Sequence, residues 1–138
     1  MESSMIKLIF SIIIAGLCSV YVAQTNDVED LTPDSTDYDN LYIKKLSSDS
    51  LSTSFAIWIK LKVKLHKHDF HTEHVYVLEG SGDFTLGDTT QPIKKGDLIT
   101  IPKNTWHGVE VTSKVPLKVV SIQSPEFKGI DRVFKSHN

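Results

Sequence analysis

Cysteine is nearly absent. Cys18 stands alone in 138 residues, so no internal disulfide can form. A cysteine-rich zinc site is excluded, and any metal needs histidine and carboxylate ligands. An excess of basic charge is also missing. The formal net charge is -2, which gives no long basic surface, and no DNA- or RNA-binding motif is present, so no nucleic-acid partner is expected. Glycine-rich phosphate loops and a serine-nucleophile motif are absent as well. Apolar runs long enough to cross a bilayer are lacking, because Leu8 to Ala23 falls short of the ~20 residues a spanning helix needs. Past that run, no segment carries a 3.6-residue apolar stripe. The length suits one domain rather than two.

What is present begins with that run. Lys7 precedes LIFSIIIAGLCSVYVA, the pattern of a signal-peptide core, so residues 1–23 are read as a signal peptide and the protein as exported, periplasmic or secreted. An uncleaved membrane anchor is the competing reading. Tyr21 is bulky for the position two before a cut at Ala23, and Leu17 before Cys18 argues against a lipoprotein. Cleavage leaves a chain without cysteine and without stable membrane insertion. Residues 24–40 carry six acidic side chains and no basic one, with Pro33 among them, and are read as an acidic flexible linker. Residues 41–138 are assigned to the folded domain.

That domain reads as all-β. Leu41 to Lys45 begins a first strand and Ser47 to Ser54 reads as a loop. From Phe55, Ile57, Ile59, Leu61, Val63 and Leu65 alternate with Ala56, Trp58, Lys60, Lys62, Lys64 and His66, a half-buried strand pattern with a bend expected near Lys60 to Lys62. Short strands bounded by turn residues follow: 73–79, 83–86, 89–93, 98–101, 107–111 and 117–123. Many short, evenly spaced strands mean a sandwich or barrel. Phe127, Ile130, Val133 and Phe134 of the tail are expected to pack against it.

Potential metal ligands concentrate in one stretch, His66-Lys67-His68-Asp69-Phe70-His71-Thr72-Glu73-His74. Strand alternation puts His66 and His68 on one face, and Glu73 opens the next strand, close enough to return to the same point. One more imidazole would complete a set suited to a divalent transition metal: Fe, Mn, Ni, Co, Cu or Zn. His74 is out of phase with Glu73 and is read as a surface or interface residue. His71 is read as an ordinary loop residue ahead of a ligand or acid–base role. Trp58 and Tyr76 are read as core or interface aromatics ahead of pocket residues. Lys60, Lys62, Lys64 and Lys67 form a solvated face, and Gly80, Gly82, Gly87 and Gly96 are assigned to turns.

The spacing His66-x-His68-x4-Glu73-x6-Gly80 resembles the first motif of the cupin family. Gly96-x5-Pro102-x-Asn104-x2-His107 resembles the second. The resemblance implies an antiparallel jelly-roll (double-stranded β-helix) barrel, a single cupin domain. It also implies one divalent metal held by His66, His68, Glu73 and His107. Two positions depart from the pattern: Asn104 replaces a glycine and Val111 an asparagine. Asn tolerates the left-handed backbone that the first position requires. The family further implies a small-molecule ligand or substrate and a homodimer. Its activities span dioxygenases, isomerases and lyases, and the alternative is a non-catalytic module binding a sugar or acidic metabolite. A metal-free structural barrel is a third reading.

Overall fold

The computed structural model describes residues 27–135, so the leader read as a signal peptide lies outside the described residues. The described residues form ten strands: β1 Leu41–Ser48, β2 Thr53–Ile59, β3 Lys62–Lys67, β4 Thr72–Glu79, β5 Ser81–Leu86, β6 Thr89–Lys94, β7 Leu98–Ile101, β8 His107–Val111, β9 Leu117–Ser124 and β10 Val133–Phe134. They form two antiparallel five-stranded sheets, ordered β1-β2-β9-β4-β7 and β10-β3-β8-β5-β6. This is the jelly-roll barrel expected from the sequence. Among the described residues no helix is long and apolar enough to cross a membrane.

The core lies between the sheets. Ile59, Val75, Val77, Ile99, Ile101, Leu117 and Val119 of the first meet Phe84, Ile93 and Val109 of the second. Side chains buried this completely contribute about 1.5–3 kcal/mol each, which holds the two sheets face to face.

Some strand limits differ from expectation. The turn before β2 is only residues 49–52. The Ser47–Ser54 and Ser48–Thr53 hydroxyl pairs carry the ladder into what reads as a loop, and Asp49 Oδ1 closes the turn by accepting from the amides of Leu51 and Ser52. The expected break between β2 and β3 does occur, and Asn40 organises it. Its side-chain carbonyl accepts from the Leu61 and Lys62 amides, and its own carbonyl from the Lys60 amide.

Strict alternation also fails within β3, with a consequence for the site. It would put His66 on the solvated face with Lys62 and Lys64. Instead His66 is buried and lines the same interior cavity as Val63, three residues earlier. The β3–β8 ladder slips register between Val63 and His66, and this irregularity switches the inward-facing parity of the strand. Gly108 permits it: a Cβ there would stand 2.7 Å from the Val63 carbonyl oxygen and 3.2 Å from the Leu65 amide nitrogen. Gly82 is likewise a strand residue and not the turn residue expected, with no room for a Cβ beside the Glu110 carbonyl.

The described part of the acidic stretch, 27–40, contains no helix or strand, yet it contacts the outer face of the first sheet. Lys118 Nζ donates to the Glu29 carbonyl, Lys44 pairs with Asp34 at 2.6 Å, and Lys60 lies 3.9 Å from the Tyr38 ring centre. Trp58, on this outer face, is 5% exposed and meets Tyr42 edge-on, so it does not line the interior cavity. Of the tail residues, Phe127 packs inward and β10 pairs with β3, but Ile130 is 89% exposed and packs on nothing.

Candidate metal centre

The four residues singled out by spacing come together. His66 closes β3, His68 follows it, Glu73 enters from β4 and His107 opens β8. All are buried, and one donor atom from each lies within 4.8 Å of the others. Glu73 Oε2 is 3.3 Å from His68 Nε2 and 3.3 Å from His107 Nε2. His66 stands opposite His107 in the ladder, with ring centres 4.2 Å apart.

Backbone carbonyls set the tautomer of all three imidazoles. His66 Nδ1 meets the Lys64 carbonyl at 2.9 Å, His107 Nδ1 meets the Thr105 carbonyl at 2.9 Å, and His68 Nδ1 meets the Asp131 carbonyl. A carbonyl only accepts, so each Nδ1 carries a proton and donates it, and in the neutral imidazole Nε2 is left with a free lone pair. The Nε2 atoms of His68 and His107 are buried without a hydrogen-bond partner. Orphaned acceptors of this kind are costly unless something electron-poor faces them.

The charges agree. Burial pushes His66 down to about 4, helped by neighbouring His107, so it stays neutral. Burial also opposes charge on His68, but the Glu73 carboxylate and the Asp131 carbonyl outweigh it and raise that residue above the usual histidine value. For Glu73, burial favours the neutral acid, yet contacts with His107, His68 and Ser121 prevail and hold it well below the usual carboxylate range. Its Oε1 accepts from the Ser121 hydroxyl. The contacts that lower Glu73 and raise His68 are those of a carboxylate facing positive charge at Nε2, which a proton or a metal ion supplies. The donor set therefore fits a divalent transition ion.

His71 is neither an exposed loop residue nor a member of this set. It is 5% exposed, and its Nε2 donates to the Glu126 carbonyl while its Nδ1 contacts Asp131. Asp131 is the unforeseen centre of this region. Its carboxylate accepts the amides of Asp69, Phe70 and His71, and its carbonyl takes the His68 Nδ1 proton. Burial opposes ionisation of Asp131, but His71 and these amides outweigh it and lower its pKa. With its oxygens engaged in this way, the His68, His71 and Asp131 grouping works as a latch between tail and ligand loop. His74, on β4, pairs with Ile122 and Thr100 and is not among the clustered ligands, as its phase indicated.

Asn104 has φ 65°, the left-handed backbone expected of it, and its side chain accepts from Lys67 at 2.6 Å. The turn it makes leads into His107. Phe127 stands 5.8 Å from the His68 ring and 5.4 Å from His71, and Phe134 stands 5.9 Å from His66, so the tail walls one side of the cluster. The interior cavity of about 70 Å³ reaches His66, Glu73 and His107 and is otherwise mostly aliphatic, with Ile57, Ile59, Val75 and Leu117 in its lining.

Residues 60–123 match the family model described as "Cupin domain". The barrel is a cupin domain. Sequence relatives of this cupin include uncharacterized protein MJ1618 of Methanocaldococcus jannaschii, 41% identical over 70 residues, 51% of this chain and 56% of that protein. Mannose-1-phosphate guanylyltransferase RfbM of Salmonella typhimurium is 33% identical over 76 residues, 55% of this chain but 15% of that protein. The chain thus spans about half of one relative and a small part of the other. Among solved structures, an uncharacterized conserved protein with a double-stranded beta-helix domain from Klebsiella pneumoniae superposes with TM-score 0.70 at 14% identity, over 83% of this chain and 93% of that one. At that identity the likeness concerns the fold alone.

Proposed function

We propose that this cupin binds one divalent transition metal through His66, His68, Glu73 and His107 and holds a small molecule in the cavity beside it. The carrying observation is the shared tautomer: three Nδ1–H groups are tied to carbonyls, and two Nε2 atoms are buried without partners around an ionised Glu73. Carbonyl contacts behind ligating imidazoles are the usual means of orienting them. The leader reading supports export of the protein to a periplasm or the exterior.

A bound ion would supply Lewis-acid polarisation of a ligand oxygen or an activated water. The chain's own residues do the rest. The carbonyls hold the proton of each neutral imidazole on Nδ1 and so aim Nε2 at the site, Ser121 orients Glu73, and the aliphatic lining excludes water from the ligand's far end. An oxidoreductase, isomerase or lyase acting on a small molecule is consistent with this arrangement, and so is a binding module without turnover.

Metal analysis of the full-length protein as purified tests the reading. About one equivalent of transition metal is expected in wild type and none in His107→Ala. Wild type that takes up no divalent ion under any loading condition refutes it.

A further inference from the structure

Arg132 is the only arginine in a chain with 15 basic residues, and it lines the cavity of the histidine cluster. Its backbone is held on both sides. Asp131 before it is latched to residues 68–71, and Val133 after it pairs with Lys67 in the β10–β3 ladder. Its guanidinium carbon lies 5.8 Å from the Phe127 ring centre, and it has no hydrogen bond or ion pair to any described residue. Lys62, Lys64 and Lys103 also have no ion pair to a described residue, but among the described cations Arg132, though exposed, is the one that lines the cavity. Glu73 is the only acidic side chain among the described residues that line the cavity, and it is committed to the histidines and Ser121.

We infer that Arg132 anchors the carboxylate of a small ligand whose short apolar body lies in the aliphatic cavity beside the metal cluster. This rests on the cavity being the ligand site proposed above. The planar guanidinium matches a carboxylate through two parallel N–H donors, a geometry that lysine lacks. The lining excludes a sugar body, because hydroxyls among Ile57, Ile59, Val75 and Leu117 would be left unpaired. At about 70 Å³ the cavity is far below the ~300–1,000 Å³ of drug-sized sites, so the acid is short. Arg132 and Glu73 balance each other in charge, so a divalent ion on the cluster would leave the cavity with an excess of positive charge, which an anion completes.

The test is calorimetric titration of the full-length protein with unbranched acids from propionate to hexanoate, the matching alcohols and inorganic phosphate. It is run on wild type, Arg132→Gln and Arg132→Lys, with metal content measured on each. The expected result is carboxylate binding weakened at least tenfold in Arg132→Gln and partly kept in Arg132→Lys, with alcohols and metal content unaffected. Equal affinity in wild type and Arg132→Gln overturns the inference. So does wild type that binds none of the acids, or that binds phosphate in their place. Arginine-dependent acid binding by a protein that takes no metal leaves the inference standing and removes the metal reading.

Discussion

His66 and His107 face each other directly across the β3–β8 ladder, and this pairing exists only because the ladder slips between Val63 and His66. Without the slip, His66 would follow the lysines to the outside. The three-histidine cluster therefore depends on a backbone irregularity that spacing alone does not reveal, and on the missing side chain of Gly108 beside it.

Substitution at Gly108 probes that dependence. Gly108→Ala is expected to cost about 1–3 kcal/mol, the usual range for forced overpacking, because its Cβ meets backbone and not a movable side chain. Urea unfolding of the metal-free protein measures it. Metal affinity should fall further than stability explains, since His107 is the neighbouring residue. A variant as stable as wild type contradicts the account of the slip.

Asp131 holds the ligand loop through three amides and His71. Asp131→Ala leaves those buried groups without a partner and should destabilise the protein by about 3–5 kcal/mol. The milder Asp131→Asn keeps an acceptor for part of the set. By loosening the latch that places the main-chain carbonyl behind His68, it is expected to lower metal affinity by up to the about 10–100-fold that loss of such a contact costs. Competition with a chromophoric chelator reads this directly. Unchanged affinity in Asp131→Asn would show that the latch has no bearing on His68.

The pH response of the metal-free protein follows from His66. Folded His66 takes a proton only near 4, whereas the unfolded chain takes it near 6.5. Between those values the unfolded state binds more protons, so stability rises with pH across the window and is lost as pH falls from 6.5 towards 4. One group shifted this far contributes at most about 3 kcal/mol. His68 shifts the opposite way, but in the parent and the variant alike. Chelator-treated wild type should therefore gain stability with pH more steeply than His66→Gln. Parallel curves would contradict the burial assigned to His66.

Metal removal should also be visible in stability. An ion at 100 times its dissociation constant stabilises the folded state by about 2.7 kcal/mol. Thermal unfolding of wild type should shift upward on metal addition by the corresponding amount, and that of His107→Ala should not shift. Equal shifts in both would place the ion elsewhere.

Much of this architecture is legible in the sequence because alternation and turn residues act locally. The strands from β4 to β9 lie close to where their apolar pattern ends. Asn104 adopts the left-handed backbone its side chain tolerates, and His66, His68, Glu73 and His107 meet as the resemblance implied. What escaped depends on contacts distant in the chain. Asp131 and Arg132 sit in a tail with no regular pattern, about sixty residues from the loop they serve. Ser121 looks like any strand serine until β9 lies beside β4 and brings it to Glu73. The one available signal was compositional: a single arginine among many lysines is an unusual choice of cation.

The most direct test of the central claim is X-ray absorption at the edge of whichever metal copurifies with the full-length protein. The account predicts a first coordination shell of nitrogen and oxygen with the multiple-scattering signature of three imidazoles, falling to two in His66→Ala. A shell with one imidazole or none, or one unaltered by that substitution, would contradict it.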